Sequence, residues 1–226
     1  PRANNATRRP RPNKDETPLR PDFGQNIDLL SGFQATVLNQ DPLVAQIDDF
    51  IDPADCDALM RLGEGQMRRA TVAGVEQDET HDSRTNAVYY IPDGGDEAAT
   101  RLKQSVCALA GFPAPNAEPL QLIQYAPGAE YRAHYDSFDP KTDLGRRYWT
   151  SGGQRVVTGL AYLNAVTAGG ETAFPKLGLS VAPKPGRLLL FQLCQGRGIL
   201  PHDHSLHAGC PVEAGEKWAV NIWIRQ

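Results

Sequence analysis

The chain has 226 residues, 40% hydrophobic and 22% charged, with a formal net charge of −4. That length suits one well-cored domain. No apolar run approaches the roughly 20 residues a membrane helix needs, and a slightly acidic balance is the wrong sign for a protein whose main partner is nucleic acid. Cys56, Cys107, Cys194 and Cys210 form no C-x-x-C pair, which argues against a zinc ribbon or a dense disulfide framework. They fit a reducing compartment, so a cytoplasmic location is expected.

Residues 1–40 mix Pro, Asn, Gln, Asp and Arg with few large apolar groups and read as an extended, partly disordered tail. Its basic cluster of Arg8, Arg9 and Arg11 reads as a solvated patch. A single folded domain is expected over 41–226. VAQIDDFI reads as its first strand, and Asp52 with Pro53 reads as the N-cap and first position of a helix running to about residue 62. NAVYYI (86–91) reads as a strand. In DEAATRLKQSVCALAG, the residues Ala99, Leu102, Val106 and Leu109 recur at helical spacing and Gly111 supplies the stop.

From Leu120 onward the pattern changes to short β runs punctuated by Gly and Pro: LQLIQY, EYRAHYD, RVVTGLAYL, GLSVAP, RLLLFQL and KWAVNIWI. Many short strands without intervening helices predict a mainly β fold, a jelly roll or barrel, with the N-terminal helices packed on one sheet. The stretch Ser137–Gly153 interrupts this pattern with polar and aromatic residues, and reads as a long loop acting as a lid. Gly169 and Gly170 read as turn residues.

In EYRAHYD, His134 and Asp136 lie two apart on a predicted strand, so both side chains leave one face about 6.6 Å apart along the backbone. A lone H-x-D is weak evidence, and a third ligand is required. His207, just before the final strand, is the candidate. Two histidines and a carboxylate make the facial triad of non-heme Fe(II) oxygenases, leaving coordination positions open for a bidentate 2-oxo acid and dioxygen. Zinc on the same residues would support hydrolysis instead. Lys217 opens the apolar strand KWAVNIWI and should be partly desolvated, hence in need of an anionic partner.

In the order LQLIQYAPGAEYRAHYD, GGQRVVTGLAYLN, GGETAFP, SLHAGCPV and GEKWAVNIWIR, the stretch from Pro42 to Arg225 resembles the catalytic domain of the prolyl 4-hydroxylase family. These are dioxygenases dependent on Fe(II) and 2-oxoglutarate, with a double-stranded β-helix. The resemblance implies iron at His134, Asp136 and His207, and 2-oxoglutarate at Tyr125, Thr172 and Lys217. It puts Tyr131, Arg155 and Trp223 beside the substrate. It also implies O2 as second co-substrate, support by ascorbate, and hydroxylation of prolyl residues with release of succinate and CO2.

Within this pattern His204 is the rival distal ligand, and the block SLHAGCPV aligns His207 instead, with Leu206 and Ala208 on the opposite face. His202 and His204 then fall on a loop beside the site, and His81 reads as solvent-exposed. No accessory peptide-binding domain of the animal collagen enzymes is visible, which favours a stand-alone enzyme. Its expected partner is a peptide or protein substrate, with a free amino acid or other small metabolite as the alternative. A non-catalytic binding module of the same fold is the reading from another class, and the intact triad argues against it.

Overall fold

The computed structural model describes residues 33–73 and 78–226. In chain order the elements are β1 (Ala35–Gln40), β2 (Leu43–Ile47), α1 (Pro53–Gly63), β3 (Arg68–Arg69), β4 (Ala87–Ile91), α2 (Glu97–Leu109), β5 (Leu120–Tyr125) and β6 (Tyr131–His134). There follow α3 (Asp143–Gly152), β7 (Arg155–Tyr162), β8 (Ala168–Gly169), β9 (Thr172–Phe174), β10 (Leu179–Val181), β11 (Leu188–Gln192), β12 (His207–Gly209), β13 (Val212–Ala214) and β14 (Lys217–Arg225).

Eight strands form a major sheet in the order β1-β2-β11-β7-β14-β5-β4-β3, and four form a minor sheet in the order β10-β9-β12-β6. Every pairing is antiparallel. The two sheets make the expected jelly roll. The central strands β7, β11 and β14 read as near-continuous apolar runs because both of their faces are covered, and their side chains are almost all buried.

The helices explain the covered outer face. In α2, Asp96 accepts a hydrogen bond from the Ala99 amide at 3.0 Å, and Gly111 takes the left-handed conformation just past the end. Val106 on its buried side presses on Gly159 of β7, where a Cβ would lie 2.7 Å from a Val106 methyl. Helix α1 begins at Pro53 as its sequence demands, although the Asp52 side chain makes no capping bond. It ends at Gly63, where a Cβ would collide with Trp218 and Leu122.

Two expectations are corrected here. The tail was placed at residues 1–40, but Ala35–Gln40 is β1, an edge strand paired with β2. An edge strand is held by its backbone ladder and buries little, so its composition does not announce it. The remainder of that tail, with Arg8, Arg9 and Arg11, lies outside the described residues. The stretch Ser137–Gly153 is not a plain loop, since it contains α3. Thr142 caps α3 by accepting from the Gly145 amide at 2.9 Å. Gly145 is required there, because a Cβ would sit 1.8 Å from the Asp139 carbonyl oxygen.

Candidate active site

His134 closes β6 and His207 opens β12, and the two residues are direct Cα partners across the minor sheet. This register brings the imidazoles together, with ring centroids 4.4 Å apart. It differs in detail from the sequence reading, which put Asp136 on the strand and His207 ahead of one. β6 ends at His134, Asp136 lies in the bend that follows, and His207 belongs to a strand of its own. Three residues are too short a run for periodicity to register. The Nε2 atoms lie 3.6 Å (His134) and 3.5 Å (His207) from the Asp136 carboxylate oxygens. One ligand atom from each of the three falls within 4.8 Å of the others.

Hydrogen bonds fix which atoms are available. His134 donates from Nδ1 to the Arg132 carbonyl at 2.8 Å, and His207 from Nδ1 to the Ser205 carbonyl at 2.9 Å. A carbonyl only accepts, so both Nδ1 atoms carry protons and both Nε2 lone pairs are free. On the carboxylate, Thr158 of β7 donates to Oδ2 at 2.7 Å, leaving Oδ1 without a donor bond from the described residues. Burial, aided by the neighbouring His134 and against a pull from Asp136, pushes the His207 imidazole down to about 4. It is therefore a neutral ligand at neutral pH. Burial raises the Asp136 carboxyl, but His207 and His134 more than offset this and hold it well below the usual range. A buried carboxylate with two deprotonated imidazole nitrogens fits a divalent metal, and two-His-one-carboxylate is the donor set of Fe(II). His81 and His204 are exposed and stand apart, and His202 pairs with Asp41 at 3.3 Å.

Behind His207 lies the second anchor. Lys217 is 2% exposed. Its Nζ donates to the Gly170 carbonyl at 2.7 Å, and the rings of Tyr125 and Tyr162 lie 5.1 and 5.3 Å away. Gly169 closes β8, paired with Val212, and Gly170 follows it, both at positive φ, so at Gly169 the turn reading gives way to a strand end. No described carboxylate comes within ion-pair distance of this ammonium. Burial alone pushes it down, to about 8. Tyr162 donates to Thr172 Oγ1 at 2.7 Å, so the Thr172 hydroxyl retains its own proton to donate. The Tyr125 ring is buried, and its hydroxyl, which bonds to no described residue, stands above Gly209, where a Cβ would lie 3.0 Å from it. An ammonium and two hydroxyl donors thus face one place, and that combination suits a carboxylate.

In front of the triad is a cavity of about 110 Å³ whose walls include Arg84, Tyr90, Tyr131, Asp136, Arg155 and Trp223. All three residues expected beside the substrate line it. Tyr131 stacks on the His134 ring at 3.5 Å. Arg155 lies over the Trp223 ring at 3.8 Å and is held from behind by a bidentate pair with Glu118, 2.7 Å for each bond. Arg225 donates to the same carboxylate at 2.6 Å. The pair with Glu118 anchors a guanidinium that lines the cavity.

The family model of the 2OG-Fe(II) oxygenase superfamily matches residues 120–225. The chain is 32% identical over 210 residues to probable prolyl 4-hydroxylase 6 of Arabidopsis thaliana, covering 84% of this chain and 71% of that one. The chain belongs to the prolyl 4-hydroxylase family. It is 34% identical to prolyl 4-hydroxylase 2 of the same plant, over 77% of this chain and 64% of the relative, so it spans less than two thirds of that protein. Among solved structures it resembles the viral collagen prolyl hydroxylase of Paramecium Bursaria Chlorella virus-1 in its 2OG complex. That likeness has a TM-score of 0.64 at 26% identity, covering 80% of this chain and 94% of that one.

Several residues of this prolyl 4-hydroxylase relative escaped the sequence reading. Thr158 and Tyr162 carried a signal, as polar groups in the apolar run RVVTGLAY. Arg84 carried none. It reaches the cavity because the segment Ser83–Thr85 pairs with the β6 edge, through an Arg84–Tyr131 bridge and a 2.8 Å bond from the Arg132 amide to the Ser83 carbonyl. Glu118 likewise depends on strands distant in sequence.

Proposed function

We propose that this chain hydroxylates prolyl residues in a peptide or protein, with Fe(II) on His134 Nε2, Asp136 and His207 Nε2 and 2-oxoglutarate anchored by Lys217. The observation that carries this reading is the buried Lys217 ammonium with no carboxylate of its own behind an open two-His-one-carboxylate set. A hydrolytic zinc site has no use for such a group. The iron, when bound, would let dioxygen react with 2-oxoglutarate, giving succinate, CO2 and an oxygen atom for the substrate C–H bond.

The protein's own residues bind and orient. Lys217 pairs with the distal carboxylate of 2-oxoglutarate, and Tyr125 and Thr172 donate hydroxyl protons to it. Thr158 holds the Asp136 carboxylate in one rotation, and the Arg132 and Ser205 carbonyls do the same for the imidazoles. Tyr131, Arg155 and Trp223 shape the wall against which the prolyl ring is placed. We further propose a reducing compartment, supported by four cysteines none of which is in a disulfide.

The relatives named prolyl 4-hydroxylases and the viral collagen prolyl hydroxylase support a peptide or protein substrate. A free amino acid is the second reading. It is favoured by the small cavity, two of whose lining residues, Tyr148 and Asp78, are hydrogen-bonded to each other. The test is succinate release by purified protein with Fe(II), 2-oxoglutarate and ascorbate, against proline-containing peptides and free L-proline, with mass spectrometry for one added oxygen. Turnover of peptides supports the first reading and turnover of L-proline alone the second. Tight binding of Fe(II) and 2-oxoglutarate with no product from any substrate would favour a binding module.

A further inference from the structure

A buried hydrogen-bond network behind the cavity determines the role of a residue that neither the triad nor the co-substrate site uses. Gln121 on β5 is fully buried. Its Oε1 accepts from Arg84 Nη2 at 2.9 Å and from Asn221 Nδ2 at 3.2 Å. A guanidinium can only donate, so Arg84 fixes which end of the Gln121 amide is oxygen. The other end, Nε2, must then be the donor, and it reaches the Tyr90 hydroxyl at 2.6 Å. At that bond the Tyr90 oxygen is an acceptor. Its own proton is left over, and no described residue accepts it. Tyr90 is 53% exposed and lines the cavity beside Tyr131, Arg155 and Trp223.

A second, independent observation lies on the same cavity. The indole Nε1 of Trp223 is buried and has no hydrogen-bond partner. A buried N–H left unsatisfied costs about 1 to 3 kcal/mol, so a site that keeps one is arranged for an acceptor to arrive. Both unspent groups are donors. We propose that Tyr90 is a specificity-determining residue that donates its phenolic proton to a backbone carbonyl of the substrate peptide next to the target prolyl residue, with the Trp223 indole serving a second acceptor.

Arg84, on the same wall, donates only to neutral oxygens, those of Asn86, Thr71 and Gln121, so this side of the cavity is rich in donors and suits a ligand that brings acceptors, as a peptide backbone does.

This inference rests on the prolyl hydroxylase reading, and the experiment separates the two. Steady-state peptide titrations followed by succinate release compare the native enzyme with Tyr90→Phe, a change at a half-exposed ring that leaves the Gln121 network otherwise intact. One neutral hydrogen bond corresponds to roughly a three- to tenfold change. Tyr90→Phe should therefore raise the KM for peptide by that factor while kcat at saturating peptide, iron affinity and the KM for 2-oxoglutarate stay put. Thioamide substitution along the peptide locates the acceptor, since at one carbonyl it should weaken the native enzyme and leave Tyr90→Phe indifferent. An unchanged peptide KM in Tyr90→Phe, or an equal rise in the KM for 2-oxoglutarate, overturns the role of Tyr90 alone. If the native enzyme turns over no proline-containing peptide, the substrate reading fails and the Tyr90 assignment falls with it.

Discussion

Asp136 is a carboxylate 6% exposed whose Oδ2 receives the Thr158 hydroxyl, and this single bond decides which oxygen is left for a metal. Groups that orient metal ligands are typically worth 10- to 100-fold in metal affinity. Thr158→Val, which keeps the shape and removes the hydroxyl, should weaken Fe(II) by a factor in that range, and Thr158→Ser should restore most of it. Calorimetric metal titration checks this, and native affinity in the valine variant would rule out the positioning role. His207→Ala should abolish iron binding outright, whereas His204→Ala, at an exposed residue outside the cluster, should leave it unchanged. At Lys217 the expected outcome is different in kind. Lys217→Ala should leave iron binding nearly unchanged and weaken 2-oxoglutarate by about 2 to 5 kcal/mol, the usual loss when one member of a buried charge pair is removed. That is at least about thirtyfold in Kd. Pyruvate, which lacks the distal carboxylate, should be discriminated against by the native enzyme and much less by the variant, as competition binding would show.

At the scale of elements, what could be read from the sequence depended on run length and on how local the signal was. α2 was legible because its apolar positions repeat over more than three turns between a capping Asp96 and a terminating Gly111. β5, β7, β11 and β14 were legible as apolar runs between Gly and Pro. β9 and β12 have three residues each and were missed, although they carry Thr172 and His207. Thr172 was found only through the resemblance of the blocks to a family, whereas His207 was the candidate third ligand from its place before the final strand, and the resemblance preferred it over His204. α3 was missed for another reason: with Gly145, Thr150, Ser151 and Gly152 among its ten residues its propensity is low, and its existence rests on the Thr142 cap and on tertiary contacts. Among the described residues those contacts run chiefly through Tyr148. Phe138 stacks on Tyr148 at 5.0 Å, Arg225 donates to the Tyr148 carbonyl at 3.2 Å, and the Tyr148 hydroxyl meets Asp78. A helix so held should open locally at low cost. Amide hydrogen exchange over Asp143–Gly152 should be fast without substrate and slow with it, and faster still in Tyr148→Phe without substrate, while β5, β7 and β14 exchange alike in all three. Equal protection with and without substrate would remove the lid role from this element.

For the whole molecule, the consequence of the site is that the ligand-free fold is built at a cost. The ordinary lysine value is 10.5 and burial pushes Lys217 down to about 8, so below pH 8 the fold must bury an ammonium that the unfolded chain leaves in water. The sign follows from proton counting. Between about pH 8 and 10.5 the unfolded chain holds more protons at this position than the folded one, so stability against unfolding rises with pH across that window. The rise amounts to about 3 kcal/mol at 1.36 kcal/mol per unit. Other lysines, tyrosines and cysteines titrate in the same range, so the quantity to measure is the difference between native protein and Lys217→Met in urea unfolding at several pH values. Lys217→Met, neutral and similar in length, should be the more stable of the two near pH 7 without ligand, and its advantage should shrink as pH rises through the window. Adding 2-oxoglutarate with Fe(II) should reverse the order at neutral pH, because the distal carboxylate supplies the missing partner only to the native ammonium and ligand bound to the folded state alone adds RT ln(1 + [L]/Kd). That reversal should persist through the window, because the gain in ligand-free stability offsets the loss of ligand affinity, and it should fade only above about pH 10.5, where the unfolded chain also loses the proton. A native protein whose ligand-free stability matches that of Lys217→Met at every pH would mean that Lys217 is already compensated in the empty fold, and the co-substrate would have to be anchored elsewhere.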